Sequence, residues 1–109
     1  MCFYVPNNQK VKTATKDIVC YKETYRNLLS YHHYFQYEVG KTYSIDNFPK
    51  YYENTIDEGF HSYISKISLY NIGNLFRLKC IIPKGSKYHV NKERNEYVSN
   101  SIKIIKIVK

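Results

Sequence analysis

The clearest signal in the chain is a period-two alternation of apolar and polar side chains. Leu75-Phe76-Arg77-Leu78-Lys79-Cys80-Ile81-Ile82 alternates and then turns fully apolar, as a strand entering a core does. Pro83-Lys84-Gly85-Ser86 predicts a turn, Lys87-Tyr88-His89-Val90 a further strand, and Asn91 to Asn95 a polar connection. Glu96-Tyr97-Val98-Ser99 and Ile102-Lys103-Ile104-Ile105-Lys106-Ile107-Val108 complete a C-terminal third that reads as β throughout. The adjacent Ile104 and Ile105 interrupt the alternation and predict a bulge or burial on both faces.

Upstream the pattern is less regular. Asp17-Ile18-Val19-Cys20-Tyr21-Lys22 is β-branched, bounded by polar residues, and predicts a strand. Phe35 to Tyr43 alternates about Gly40, which predicts a strand, a turn or bulge, and a second short strand through Ile45. Residues 46–57 are polar, contain Pro49 and read as a loop, and Glu58 to Tyr63 as a short strand or turn. Glu23 to Leu29 fits one helical turn. Ile64, Ile67, Leu69-Tyr70 and Ile72 have helical spacing, with Gly73-Asn74 able to end a helix of about two turns. Residues 1–16 read as an irregular arm with a turn at Pro6-Asn7-Asn8. The expectation is one α+β domain of six to eight short, mostly antiparallel strands and one or two short helices.

Composition narrows the class. The 109 residues are enough for one modest core, and a hydrophobic share of 43% argues against disorder. No apolar run approaches the roughly 18–20 residues of a membrane span, and the start has no basic segment leading into an apolar one, so neither a membrane association nor a signal peptide is expected. Cys2, Cys20 and Cys80 are an odd, scattered set, which favours reduced thiols and a cytoplasmic setting. Residues 75–109 carry nine Lys/Arg against two Glu, while residues 23–74 carry four Lys/Arg against six Asp/Glu. The basic third suits a phosphate-bearing partner, or serves as lysine protection of sheet edges. Thirteen tyrosines with no tryptophan reflect AT-rich coding first, and composition alone does not establish base stacking.

Candidate chemistry gathers at Glu58-Gly59-Phe60-His61-Ser62-Tyr63, where a Gly, aromatics, a His and a hydroxyl crowd six residues. Alternation would place His61 and Tyr63 on one face, able to line a pocket; the structural alternative is a His ring bonded to a neighbouring carbonyl. His32-His33 lack metal-ligand spacing, and no metal site is expected. Cys20 and Cys80 lie in apolar strands and read as core. The pairs Asp57-Glu58 and Glu93/Glu96 sit at loop edges, and no phosphate-cradling glycine motif occurs.

Taken in order, Ile18 to Lys22, Phe35 to Tyr43, Gly59-Phe60-His61-Ser62, Cys80 to Gly85, and Glu96-Tyr97-Val98-Ser99 with the Ile/Lys strand resemble a small family of uncharacterised phage and bacterial proteins. Its pattern is YxxGKxY … GxH … EYV, and the likeness spans about residues 17–108. It implies a phage-type protein of the host cytoplasm and carries no activity. The same order is similar, more weakly, to the ADP-ribosyltransferase fold. That resemblance implies Lys22 at a first-strand position usually held by Arg or His, Ser62 or Tyr63 beside an NAD site, and Glu96 as the catalytic residue. Lysine lacks the planar fork of arginine, a departure that counts against transfer and leaves nucleotide binding open.

The function these observations favour is binding without turnover of a nucleotide, an NAD-derived ligand or a host protein. Tyr37 and Tyr63 would stack a base, Lys22 and Lys84 would hold phosphates, and His61 and Ser62 would add hydrogen bonds. The alternatives are a mono-ADP-ribosyltransferase using Glu96 and a nucleic-acid-binding protein using the basic C-terminal sheet. NAD or a nucleotide is the expected cofactor, if any, and a monomer or an edge-paired homodimer the expected state.

Overall fold

The computed structural model describes residues 2–25, 36–65 and 75–108. Their regular elements are eleven strands: β1 (Phe3–Tyr4), β2 (Lys12–Thr13), β3 (Ile18–Tyr25), β4 (Thr42–Ser44), β5 (Tyr51–Tyr52), β6 (Thr55–Ile56), β7 (Phe60–Tyr63), β8 (Leu75–Ile82), β9 (Lys87–Asn91), β10 (Glu96–Ser99) and β11 (Ser101–Val108). The described residues contain no helix, so the α+β expectation gives way to an all-β fold. The reason is visible at β3. Glu23-Thr24-Tyr25 continue the alternation begun at Ile18 and pair with Arg77, Phe76 and Leu75, so a partner strand overrides the weak helical preference. The helix expected from Ile64 to Ile72 lies mostly outside the described residues, as do Phe35 and His32-His33. Residues 2–16 are irregular apart from β1 and β2.

Eight strands form one antiparallel sheet in the order β2-β9-β10-β7-β3-β8-β11-β4. Its connections force it to curl. β10 and β11 stand four places apart in that order yet are joined by Asn100 alone, and β8 reaches β9, also four places away, through the Pro83–Ser86 turn. A flat sheet would separate such strands by about 19 Å, at roughly 4.8 Å per strand. Asn100 fastens the closure: its N–H donates to Lys87 O (3.0 Å), its carbonyl accepts from Ile45 N (2.9 Å), and its Oδ1 accepts from Lys87 N (2.9 Å).

The concave face holds the main core of Cys20, Phe60, Leu78, Cys80, Ile82, Ile102 and Ile104, with Tyr37 and Ala14 packed in from the loops. Leu78, Ile82, Ile102 and Ile104 are fully buried, each stabilising by about 1.5–3 kcal/mol. The second sheet, β1-β6-β5, covers part of the convex face. There Phe3, Phe48 and Ile56 pack on Val98 of β10 in a smaller core. Gly59 leads into β7 with a φ of +144°, and a Cβ there would lie 2.8 Å from Val98 Cγ2 and 3.0 Å from Phe48 Cε2. That close approach excludes a side chain.

The β5–β6 hairpin replaces part of the loop expected over 46–57. Tyr52 pairs with Thr55 across a two-residue turn, Glu53-Asn54, in which Glu53 has a φ of +56°.

Candidate functional site

Two sets of side chains on opposite faces of β3, β8 and β11 bear on function. On the convex face, cross-strand register lines up residues far apart in sequence. Glu96 of β10 faces Tyr63 of β7, which faces Tyr21 of β3, which faces Lys79 of β8, which faces Lys106 of β11. The flanking rows are Glu23–Arg77–Val108 and Val19–Ile81–Lys103. Lys103 and Lys106 are three residues apart, which simple alternation would put on opposite faces. The bulge between Ile104 and Lys106 adds one residue, resets the parity and leaves both lysines outside. Tyr21, Tyr63, Arg77 and Lys79 are half-buried, whereas Lys103 and Lys106 are exposed. None of the three strands of the second sheet pairs with this part of the large sheet. Two tyrosines and four cations thus share one face, with Glu23 beside Arg77 and Glu96 at the margin. Burial raises the Glu96 carboxyl pKa, with Arg94 pulling it the other way.

On the concave face of β3, Cys20, Lys22 and Thr24 point inward at successive alternate positions. Lys22 is only 8% exposed. Among the described residues, β3 and β7 register only at Tyr21 and Tyr63, and one step further the Lys22 ammonium donates to the His61 carbonyl. The ammonium also lies 5.4 Å from the centre of the Tyr37 ring. On the same face of β3 and β7, the Ser62 and Thr24 hydroxyls are buried without a hydrogen-bond partner. The Cys20 thiol lies beside Ser62 without reaching hydrogen-bond geometry. Burial pushes the Cys20 thiol up to about 11, against smaller opposing effects of Ser62 and the Lys22 charge. Burial likewise pushes Cys80 up to about 12.

Of the residues singled out in the sequence, Lys22, Tyr37 and Ser62 come together here, with His61 contributing its carbonyl. The His61 ring faces the other way and donates from Nε2 to the Asp57 carbonyl (3.1 Å), the structural alternative considered for it. Tyr63 lies on the convex face. Lys84 sits in the exposed β8–β9 turn, where its backbone N–H donates to Asp17 Oδ1 (2.9 Å). Glu96 and Ser62 project from opposite faces of their paired strands, since Tyr97 is the residue opposite Ser62. Tyr63, the other middle residue of the transferase-like pattern, lies directly opposite Glu96, and Lys22 is on the face away from Glu96 and Tyr63. Thr24, Tyr21, Lys79 and Lys106 had no mark of their own in the sequence. Continued alternation past Lys22 was the available signal for Thr24.

A third polar group is buried under the second sheet. His89 of β9 is fully enclosed. The Gln9 side-chain amide is oriented by Val90, its Nε2 donating to Val90 O (3.0 Å) and its Oε1 accepting from Val90 N (3.1 Å). The same Oε1 lies 2.8 Å from His89 Nδ1, so Nδ1 carries the proton and Nε2 accepts from the Tyr51 hydroxyl at 2.7 Å. Burial, and secondarily the charge of Lys12, lowers the pKa of His89 from its usual 6.5.

These features define a class: a basic all-β protein built on one curled antiparallel sheet, with a tyrosine–lysine convex face and a lysine inside the curl. No protein-family model, curated protein or solved structure matches the chain. No helix of the described residues is long and apolar enough to cross a membrane.

Proposed function

We propose that the protein binds single-stranded nucleic acid across the convex face of β3, β7, β8 and β11. The observation that carries this reading is the row Tyr63–Tyr21–Lys79–Lys106, with Arg77 and Lys103 in the rows beside it. Tyrosine rings offer stacking partners to unpaired bases, and the cations on adjoining strands match a phosphate backbone. A convex sheet surface does not fit a duplex groove, which admits a helix or a two-stranded ribbon. The formal net charge of +8 supports electrostatic attraction to such a partner.

The test is fluorescence anisotropy with labelled oligo-dT, its RNA counterpart and a duplex over a salt series. Four phosphate contacts give a log–log salt slope of roughly −3, at about −0.7 per contact for single strands. Replacing both Lys79 and Lys106 with Ala reduces that slope by about half. Tyr21→Ala weakens single-strand binding about tenfold with the slope unchanged, as expected for loss of one stacked base. Equal binding of duplex and single strand, or an unchanged slope in the double variant, overturns the reading.

A further inference from the structure

From the concave cluster we infer a second, separate binding site: Lys22, Ser62 and Thr24 form a receptor for a small oxyanion, a phosphate or carboxylate group, inside the curl of the sheet. A buried ammonium is unfavourable unless a counter-charge and hydrogen-bond acceptors surround it. Lys22 has one carbonyl, from His61, and the face of Tyr37. All nine Asp and Glu side chains of the sequence fall within the described residues, and none pairs with Lys22. The stretches 26–35 and 66–74 contain no acidic residue at all. The thiols of Cys20 and Cys80, which feel its charge, are pushed up to about 11 and about 12 by burial and carry no negative charge at neutral pH. The positive charge therefore has no negative partner within the chain's side chains.

The two hydroxyls point to the same conclusion. Ser62 and Thr24 are 3% and 0% exposed and lack partners, although buried hydroxyls are bonded in the great majority of cases. Each is able to donate one hydrogen bond. The ammonium has spare N–H groups and each hydroxyl has an unused O–H, and no negatively charged acceptor of the chain's side chains meets them. An oxyanion supplies both what the charge lacks and what the hydroxyls lack. The site lies on the opposite face of β3 from the tyrosine–lysine row, and neither reading depends on the other.

The experiment uses the full chain in low-salt buffer, with inorganic phosphate, acetate and chloride compared at equal ionic strength. Thermal unfolding in phosphate or acetate is expected to rise above that in chloride by on the order of 5 °C at about ten times Kd. The phosphate and acetate arms tell which oxyanion is preferred. Lys22→Met abolishes the shift while folding as well as the parent, and Thr24→Val reduces the affinity severalfold. The double Ala variant at Lys79 and Lys106 keeps the shift, which separates the site from the convex face. Should Lys22→Met not fold, the Lys22 ammonium resonance of the unaltered protein is followed by NMR during a phosphate titration, and its saturable movement supports the site. Identical unfolding in all three salts, a shift that survives Lys22→Met, or an unmoved ammonium resonance overturns the inference.

Discussion

His89 and Lys22 are both buried polar side chains of the large sheet, on opposite faces, and their surroundings could hardly differ more. His89 has a partner at each ring nitrogen, and its acceptor, Gln9, is held in place by the backbone of Val90. It is a neutral group in a completed network, and such networks act as structural ties. Lys22 has one carbonyl and no counter-charge, with unbonded hydroxyls on the same face of the sheet. Burial alone does not separate a structural polar group from a binding one. The accounting of donors, acceptors and charge does.

That contrast is broken most severely by removing each side chain in turn. His89→Ala leaves a cavity and strips the Gln9 oxygen and the Tyr51 hydroxyl of their shared partner. Urea unfolding should show a loss of about 3 kcal/mol. Lys22→Met replaces an uncompensated charge with an apolar chain of similar length, and the same measurement should show no loss or a gain of about 1 kcal/mol. Opposite signs are the expected result; a similar loss in both variants would mean that Lys22 is a structural tie as well.

A smaller effect comes from Tyr51→Phe, which removes the hydroxyl donating to His89 Nε2. Its expected cost is about 1 kcal/mol, since the ring stays at the partly exposed edge and only the hydrogen bond is lost. An effect as large as that of His89→Ala would place the tie in the Tyr51 packing instead.

The gentlest probe is pH. The folded-state pKa of His89 lies below its ordinary 6.5, so the unfolded chain holds the extra proton more readily. Its contribution is therefore complete above pH 6.5 and is lost as pH falls through the folded-state value. Chemical unfolding measured from pH 7.5 down to pH 5 should show declining stability, with a shallower decline in a His89→Gln variant. Equal slopes in the two proteins would show that His89 is not the group responsible.

The later strands were legible because alternation there is uninterrupted. β8, β9, β10 and β11 lie where Leu75–Ile82, Lys87–Val90, Glu96–Ser99 and Ile102–Val108 predict them, and the Ile104-Ile105 pair marks the bulge. The β5–β6 hairpin was hidden by its turn chemistry. Its first turn residue adopts positive φ, a place where Gly, Asn or Asp is the usual signal, and Glu53 occupies it. In the concave cluster, Tyr37 and Ser62 carried a mark of residue type, and Lys22 one of position in the transferase-like order. A helical reading of Glu23–Leu29 obscured Thr24. The Tyr63–Tyr21–Lys79–Lys106 row depends on strand order, which brings β7 beside β3 and β8 beside β11 across long stretches of sequence, and no local pattern encodes that.

The place of β11 in the strand order also sets a timetable for synthesis. β11 lies between β8 and β4, so β4 has no sheet neighbour until the last of these strands leaves the ribosome. Ser44 and Ser101, whose hydroxyls bond across that junction, are 57 residues apart. At about 5–20 residues per second, roughly 3–11 s pass between their emergence. β8 itself ends at Ile82, so for the last roughly 1–4 s of that interval its free edge and the apolar residues beside it face water, the circumstance in which a nascent chain most needs a chaperone.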